Sequence, residues 1–365
     1  MTIAKKKTKV LVAMSGGVDS SVAAALLKEQ GYQVTGVTMK IWDGKAATSE
    51  RRRHACYGPD EAEETEDAVK VARILGIPFH IIGLSQEYKA QVLDYFRREY
   101  QSGRTPNPCV RCNRQIKFDA ILRKCRESGI EFDYFATGHY AQIEYAPQKN
   151  RYLLKKAKDL SKDQSYFLFA LSQEQLAISI FPIGKYVKEE VKKISVTLGL
   201  GVEKKPDSQD FIAEGYASLF EPALPGAIMD KQGNVLGEHR GIPFYTIGQR
   251  RGLGISSEER LFVSDIDPVR NAVIVAGKEE MYKDELYTSS LNWISIEKPE
   301  QPLKVKARIR YRHQEAQAVV TPLDGNRAYV KFAEPQLAIT PGQAVVFYDD
   351  DTVIGGGTID RNEER

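Results

Sequence analysis

The chain has 365 residues, 42% hydrophobic and 28% charged, and its 52 basic side chains nearly cancel 49 acidic ones, leaving a net charge of +3. That length accommodates two or three globular domains, and the balanced charge means that a nucleic-acid partner would be met by local patches. A helical membrane span is excluded, because no run of about 18 apolar residues occurs. The start from Met1 to Lys7 has no signal-peptide core, so a cytoplasmic protein is expected. All four cysteines, Cys56, Cys109, Cys112 and Cys125, fall in the first third of the chain. In a reducing compartment this points to thiol or metal chemistry before structural disulfides.

Val10 to Met14 has the composition of a buried strand, and the alanine-rich stretch from Val22 to Gln30 reads as a helix. Between them Ser15, Gly16 and Gly17 let the backbone turn tightly, and Asp19, Ser20 and Ser21 open the helix, whose positive end faces the same spot. This geometry suits a phosphate. No Gly-Lys-Ser/Thr follows, so it is not the P-loop of nucleoside triphosphatases. It resembles instead the pyrophosphate loop of enzymes that split ATP between its α- and β-phosphates. Gln33 to Trp42 is the next strand, giving a right-handed parallel unit. Arg51, Arg52 and Arg53 lie in a turn-rich loop with Cys56 and would stabilise its thiolate. Asp60 to Leu75 is an amphipathic helix with a solvated acidic face, Gly76 to Gly83 a turn and strand, and Ser85 to Tyr100 a further helix.

Pro106 and Pro108 stiffen the loop that leads to Cys109 and Cys112, and Gln115 to Cys125 is helical. A Cys-x-x-Cys pair at a helix start, flanked by Arg104, Arg111 and Arg114, should have a lowered thiol pKa. A zinc half-site or two inert buried thiols are the structural alternatives. Cys125 reads as packing. Phe132 to Ala141 is a strand whose polar end places Gly138 and His139 toward the nucleotide or its reaction partner, although a lone histidine is more often packed. Tyr152 to Lys158 reads as a hairpin strand, Asp159 to Leu168 opens a helix with a charged first turn, and Lys188 to Leu198 is helical.

From Lys204 glycine and proline become frequent, and Gly241 to Gly254 is basic and glycine-rich. Leu261 to Asp267 and Ala272 to Gly277 are short strands. Beyond Tyr287 the stretches 303–311, 316–321, 327–332, 344–348 and 353–359 have strand patterns at the spacing of a small β-barrel. Arg308, Arg310 and Arg312 alternate and would share one face, either solvated or against a phosphate backbone. The expected domains are 1–203, an ATP-binding α/β domain with a doubly wound parallel sheet, then 204–286, a small central domain, and 287–365, a β-barrel.

Six segments resemble, in order, those of the tRNA-uridine 2-thiolases, the MnmA family: Ala13 to Ser20, Thr105 to Asn113, Ala136 to Tyr140, Lys162 to Tyr166, Thr246 to Gly254 and Arg310 to Arg312. The resemblance implies a pyrophosphatase-type α/β domain, a central domain and a C-terminal barrel. It implies adenylation of the C2 oxygen of the wobble uridine of tRNA with ATP and Mg²⁺, followed by delivery of sulfur from a cysteine persulfide. By position it assigns Ala13, Met14, Ser15, Gly16, Gly17, Val18, Asp19 and Ser20 to the phosphates, Met39 to the adenine and Gly138 to the nucleotide. Cys112 is then the sulfur-handling cysteine. Asn107, Pro108 and Cys109 touch the target base, and His139, Lys162, Asp163, Gln164, Arg310, Tyr311 and Gln343 touch tRNA. A sulfur donor protein, a cysteine desulfurase or relay, or free sulfide would supply the sulfur to a monomeric enzyme.

One segment departs from the family. Relatives usually carry a second cysteine in Asp-Ser-x-x-x-Cys-Phe-Ile, and here the run from Pro206 to Ile212 is shortened and has none. Two schemes follow. Cys112 takes the sulfur and Cys109 resolves the disulfide, or Cys56, Cys109 and Cys112 hold a [4Fe–4S] cluster with one open iron, as proposed for other thiolating relatives. A synthetase that adenylates a small molecule and a non-catalytic RNA-binding module are the readings from other classes.

Overall fold

The computed structural model describes residues 8–42, 44, 55–205, 210–212, 219–220 and 223–361. The chain forms two units, one of residues 1–91, 109–215 and 351–353, the other of 92–108, 216–350 and 354–365.

The first unit is built on a parallel sheet of β1 (Lys9–Ala13), β2 (Gln33–Lys40), β4 (Phe79–Gly83), β5 (Tyr134–Ala136) and β8 (Ser179–Ile180), in the order β4-β2-β1-β5-β8. Val10, Leu11 and Val12 are at most 1% exposed, so β1 is covered on both faces, as its unbroken apolar run requires. Helix α1 (Val18–Glu29) packs closely through Ala23, Ala24 and Ala25, whose small side chains leave room for it. Helix α2 (Glu61–Leu75) adds Ala68, Val71 and Leu75 to the same core. Its acidic face is not the uniformly solvated one expected. Glu61 accepts hydrogen bonds from the amides of Ile41 and Trp42 at 2.6 and 3.1 Å, because the chain leaving β2 has lost its strand partners there. Asp67 pairs with Lys70 and Lys205, and Glu63 and Glu66 are exposed.

Two short parallel strands, β3 (Ala55–Tyr57) and β9 (Asp210–Ile212), pair beside this sheet. Arg51, Arg52 and Arg53, and the segment from Pro206 to Gln209, lie outside the described residues. The cysteine helix runs through Pro108–Cys112, a π-helical stretch Asn113–Ala120, and Ile121–Glu127. The antiparallel hairpin β6 (Gln142–Ala146) and β7 (Arg151–Lys155) follows. The helix expected over Asp159 to Leu168 is confined to Ser165–Leu168. The Asp159 carboxylate accepts from the Ser161 amide and hydroxyl and from the Lys188 amide, fixing a turn in place of a first helical turn. Helix α3 (Lys188–Thr197) completes the unit.

In the second unit β10 (Gly226–Met229), β11 (Val235–His239), β12 (Phe262–Asp267) and β13 (Ala272–Ala276) form a sheet in the order β11-β10-β13-β12. The strands β14 (Tyr282–Trp293), β15 (Leu303–Arg308), β16 (Ala316–Leu323), β17 (Arg327–Leu337), β18 (Ala344–Asp349) and β19 (Thr352–Ile359) close into a six-stranded barrel through pairing of β14 with β19. The sequence pattern reveals five of these and misses most of β14, whose polar run is interrupted by bulges. It also extends β15 too far. The strand ends at Arg308, so Arg310 and Arg312 sit in a turn and the three guanidiniums do not share a strand face. The seam between β14 and β19 depends on bare backbone. A Cβ at Gly355 would lie 2.4 Å from the Asn292 carbonyl oxygen, and one at Gly357 would lie 2.4 Å from the Thr288 hydroxyl.

Leu11→Ala should cost about 3 kcal/mol of the first unit's stability. Val269→Ala, at a side chain 93% exposed, should stay within about 0.5 kcal/mol. Urea unfolding followed by circular dichroism checks both.

Candidate active site

The loop after β1 has the form its composition dictates. Gly16 is left-handed at φ +75°, and a Cβ there would meet the Glu64 carbonyl oxygen of α2 at 2.3 Å. The Ser15 amide donates to Ser20 Oγ at 3.1 Å, and Ser20 and Ser21 hydroxyls donate to the Gly17 carbonyl at 3.2 and 2.8 Å. This pins the first turn of α1 against the loop. The end of β5 crosses so near that a Cβ on Gly138 would lie 2.6 Å from the Ser20 amide nitrogen. Met14, Val18 and Ser20 are buried, leaving Ser15 exposed and Ala13, Gly17 and Asp19 partly open. Met39 is half-buried near the carboxyl end of β2, the same end of the sheet as the loop.

Asp19 is held by groups the sequence reading missed. Lys188 Nζ lies 2.8 Å from both carboxylate oxygens, and the Tyr140 hydroxyl donates to Oδ1 at 2.8 Å. The Lys188 side chain is 8% exposed and its ammonium stands 5.8 Å from the Tyr140 ring centre. A cavity of about 410 Å³ beside the pair is lined by Lys162, Lys188, Lys192 and Lys205 together with Asp159 and Glu189. An apolar, lysine-led helix start was the one available sign of Lys188.

The cysteines come together as the sequence could not foretell. Cys56, Cys109 and Cys112 share one electrostatic neighbourhood with Lys117. β3 brings Cys56 there, with Tyr57 stacked on Tyr88 at 5.6 Å between ring centres. The expected lowering of the thiol pKa is wrong. Burial pushes Cys109 up to about 12, with the neighbouring Cys56 adding to the rise, and burial pushes Cys112 up to about 11. Cys56 is raised by the same cause, and in all three Lys117 pulls the other way. Desolvation outweighs the helix start here. The arginines invoked are employed elsewhere: Arg104 pairs with Glu99 at 2.8 Å, Arg111 donates to the Gln91 carbonyl and side chain, and Arg114 is exposed. Cys125 is fully buried in helix packing, as expected. Among the described residues no group of three or more His, Cys, Asp or Glu is arranged to hold a metal ion.

The residues assigned to tRNA differ in what they offer. His139 is buried, its Nδ1 2.6 Å from the Thr137 hydroxyl and its ring against Phe118 and Phe181. Burial, with Lys117 nearby, holds it well below the usual histidine range, so it is neutral. Asp163 is buried and accepts from the Ala157 and Ser165 amides and the Ser165 hydroxyl, while Gln164 Oε1 accepts from the Tyr140 amide. These three side chains position backbone. Lys162 is half-buried on the lysine-lined cavity. In the second unit Arg310 donates to the Leu337 carbonyl at 2.7 Å, and Tyr311 is half-buried. Gln343 Nε2 donates to the Thr105 and Pro106 carbonyls at 2.9 and 3.3 Å, bracing the loop that continues through Asn107 and Pro108, both half-buried.

A five-stranded parallel sheet with a glycine turn after its first strand, followed by a closed barrel, defines an adenine-nucleotide type of α/β enzyme joined to β domains. Residues 8–213 match the family model described as tRNA methyl transferase HUP domain, 210–277 the PRC-barrel domain of the same series, and 283–359 the aminomethyltransferase beta-barrel domain. The chain is 47% identical over 355 residues to the tRNA-specific 2-thiouridylase MnmA of Endomicrobium trichonymphae, covering 96% of this chain and 98% of that protein. It is 49% identical to MnmA 2 of Thermoanaerobacter sp. strain X514, covering 97% and 98%, and 48% identical to MnmA of Acetivibrio thermocellus, covering 97% and 99%. A solved 4-thiouridine synthetase–RNA complex with bound ATP is 15% identical, covering 56% of this chain and 44% of that one, with a TM-score of 0.33. The chain belongs to the tRNA-specific 2-thiouridylase MnmA family.

Lys188→Met leaves Asp19 without its counter-charge and should cost about 3 kcal/mol, most of it recovered in Lys188→Met with Asp19→Asn. Urea unfolding of the single and double variants tests the pair. A single variant as stable as the parent would deny it. Burial pushes Glu64 up to about 7, with Lys205 opposing and Asp60, Glu61 and Glu63 adding to the rise. Its folded form keeps a proton that the unfolded chain loses near 4.5, so stability should fall as pH rises from 4.5 to about 7. Glu64→Gln should flatten that slope in urea midpoints taken across the same interval.

Proposed function

We propose that this chain uses ATP to replace the C2 oxygen of the wobble uridine in tRNA by sulfur. The observation that carries this reading is the presence, in one unit, of an anion-binding loop and of three converging thiols, in a chain that belongs to the 2-thiouridylase family. The turn from Ser15 to Ser20 and the start of α1 receive the phosphates of ATP. The uridine O2 attacks the α-phosphorus, pyrophosphate leaves, and a poor leaving group becomes a good one. Sulfur borne by Cys112 then adds at C2, and AMP departs with the former oxygen. Cys109, one helical turn away, attacks Cys112 to release the thiolated base, leaving a disulfide that an external thiol reduces.

Asp19 is the acidic group suited to Mg²⁺, and it would exchange Lys188 for the metal while Lys188 turns to the phosphates. The metal supplies charge neutralisation on the phosphates. An anticodon loop presents its bases unstacked, so reaching O2 costs little. Lys162, Arg310 and Tyr311 serve as tRNA contacts. His139, Asp163, Gln164 and Gln343 support those surfaces from behind. A cysteine desulfurase, a relay protein or sulfide supplies the sulfur, and the enzyme works as a cytoplasmic monomer with domains 1–203, 204–286 and 287–365. Among the described residues no helix is long and apolar enough to cross a membrane.

A second sulfur route is favoured by the delivery of Cys56 to the pair. A four-iron cluster takes each thiolate on a different iron, so its ligands do not have to converge on a single ion. Cys56, Cys109 and Cys112 fit such a group in number and chemistry, and the open iron would bind sulfide. A synthetase acting on a small metabolite has no use for three thiols in one place.

Mass spectrometry of tRNA nucleosides after incubation with ATP, Mg²⁺ and a sulfur donor should detect 2-thiouridine from the parent and at least about 100-fold less from Cys112→Ser. None from the parent would end the reading. Protein purified without oxygen separates the two sulfur routes: colourless, iron-free and fully active protein with a persulfide donor excludes the cluster.

A further inference from the structure

We propose that Lys117 is the counter-charge for the sulfur anion on Cys112, placed there by the π-helical stretch that begins at the next residue. The assignment rests on the sulfur-transfer reading above. Cys112 ends the turn Pro108–Cys112, and Asn113–Ala120 then winds with the wider π repeat. In an α-helix a residue five positions on points about 140° away from the first. Where hydrogen bonds run from i to i+5, the same residue returns toward its face. The widened turn therefore turns Lys117 back toward Cys112.

The surroundings of Lys117 are those of a buried cation and not of a surface lysine. Its neighbours in sequence, Ile116 and Phe118, are 0% and 2% exposed, and Phe118 packs edge-on against Phe135 and Phe181. Among the described residues no carboxylate pairs with it. The titratable groups in its field are Cys112, Cys56 and Cys109, and the neutral ring of His139. Burial alone would depress the ammonium, yet the three sulfurs more than restore it, and it stands above the ordinary lysine value. A charge withdrawn from water without a partner is costly, so an ammonium kept here is matched by an anion that arrives with function. A thiolate or terminal persulfide sulfur on Cys112 is that anion. Fixed positive charge lowers the energy of the anion before transfer and holds its sulfur beside the target base.

The test is a charge series at one position. Lys117→Met and Lys117→Gln remove the charge and Lys117→Arg keeps it, with thermal unfolding to verify that each variant is folded. Alkylation of Cys112 by iodoacetamide at one fixed pH, followed site by site with peptide mass spectrometry, should slow by about 10-fold or more in both neutral variants and return to within about 3-fold of the parent in Lys117→Arg. The fraction of Cys112 carrying one added sulfur after exposure to a persulfide donor should follow the same order. Neutral variants that alkylate as fast as the parent would overturn the assignment. So would Lys117→Arg behaving like the neutral variants, which would mark a structural role for the side chain. A parent that makes no 2-thiouridine would instead overturn the sulfur-transfer reading, and that failure is visible before any Lys117 variant is compared.

Discussion

Everything in the nucleotide half of the first unit depends on Asp19. Its two oxygens join the start of α1 to Lys188 at the start of α3, and one also takes the Tyr140 hydroxyl from beyond β5, each at 2.8 Å. Three segments separated by more than a hundred residues are thereby tied at the carboxyl end of the sheet, where parallel sheets bind ligands. The pair is partly buried, and a buried ion pair contributes little net stability compared with apolar packing. Its value is positional. It sets the angle at which α1 leaves the loop, and with it the direction of the unpaired amides that receive phosphate.

The cysteine cluster is governed by the opposite principle. There the surrounding protein withholds charge, raising every thiol and leaving Lys117 to oppose the rise. Thiols kept protonated at rest are protected from stray oxidation, because the thiolate is the reactive form. Reactivity then has to be supplied when donor or substrate arrives. A helix start rich in arginine suggests constant activation, and the arrangement found provides conditional activation.

Local features of the sequence were legible where local physics decides them. The apolar run of β1, the glycine turn and the alanine-rich α1 announce themselves, because backbone freedom, burial and helix propensity act within a few residues. The spacing of turns beyond Tyr287 was enough to foresee a barrel. What was hidden depends on partners far apart in the chain. Lys188 and Asp19 are 169 positions apart. Cys56 reaches Cys109 and Cys112 through a three-residue strand that pairs with Asp210–Ile212. Arginines near a cysteine in sequence proved to be occupied elsewhere, while a lysine between Ile116 and Phe118, out of place in an apolar run, was the sign that went unread. The acidic face of α2 misled for a related reason, since backbone amides of another segment claimed Glu61.

The seam of the barrel has a consequence of its own. Gly355 and Gly357 pass the β14 backbone where any side chain would collide. Sliding β19 by one residue would push Ile354, Gly356 or Thr358 into those places, and the two bulky ones would not fit. The two glycines therefore act as a key cut for one lock. They give up strand propensity and in return exclude the neighbouring registers by shape, so a barrel assembled from strands of similar composition closes in a single way.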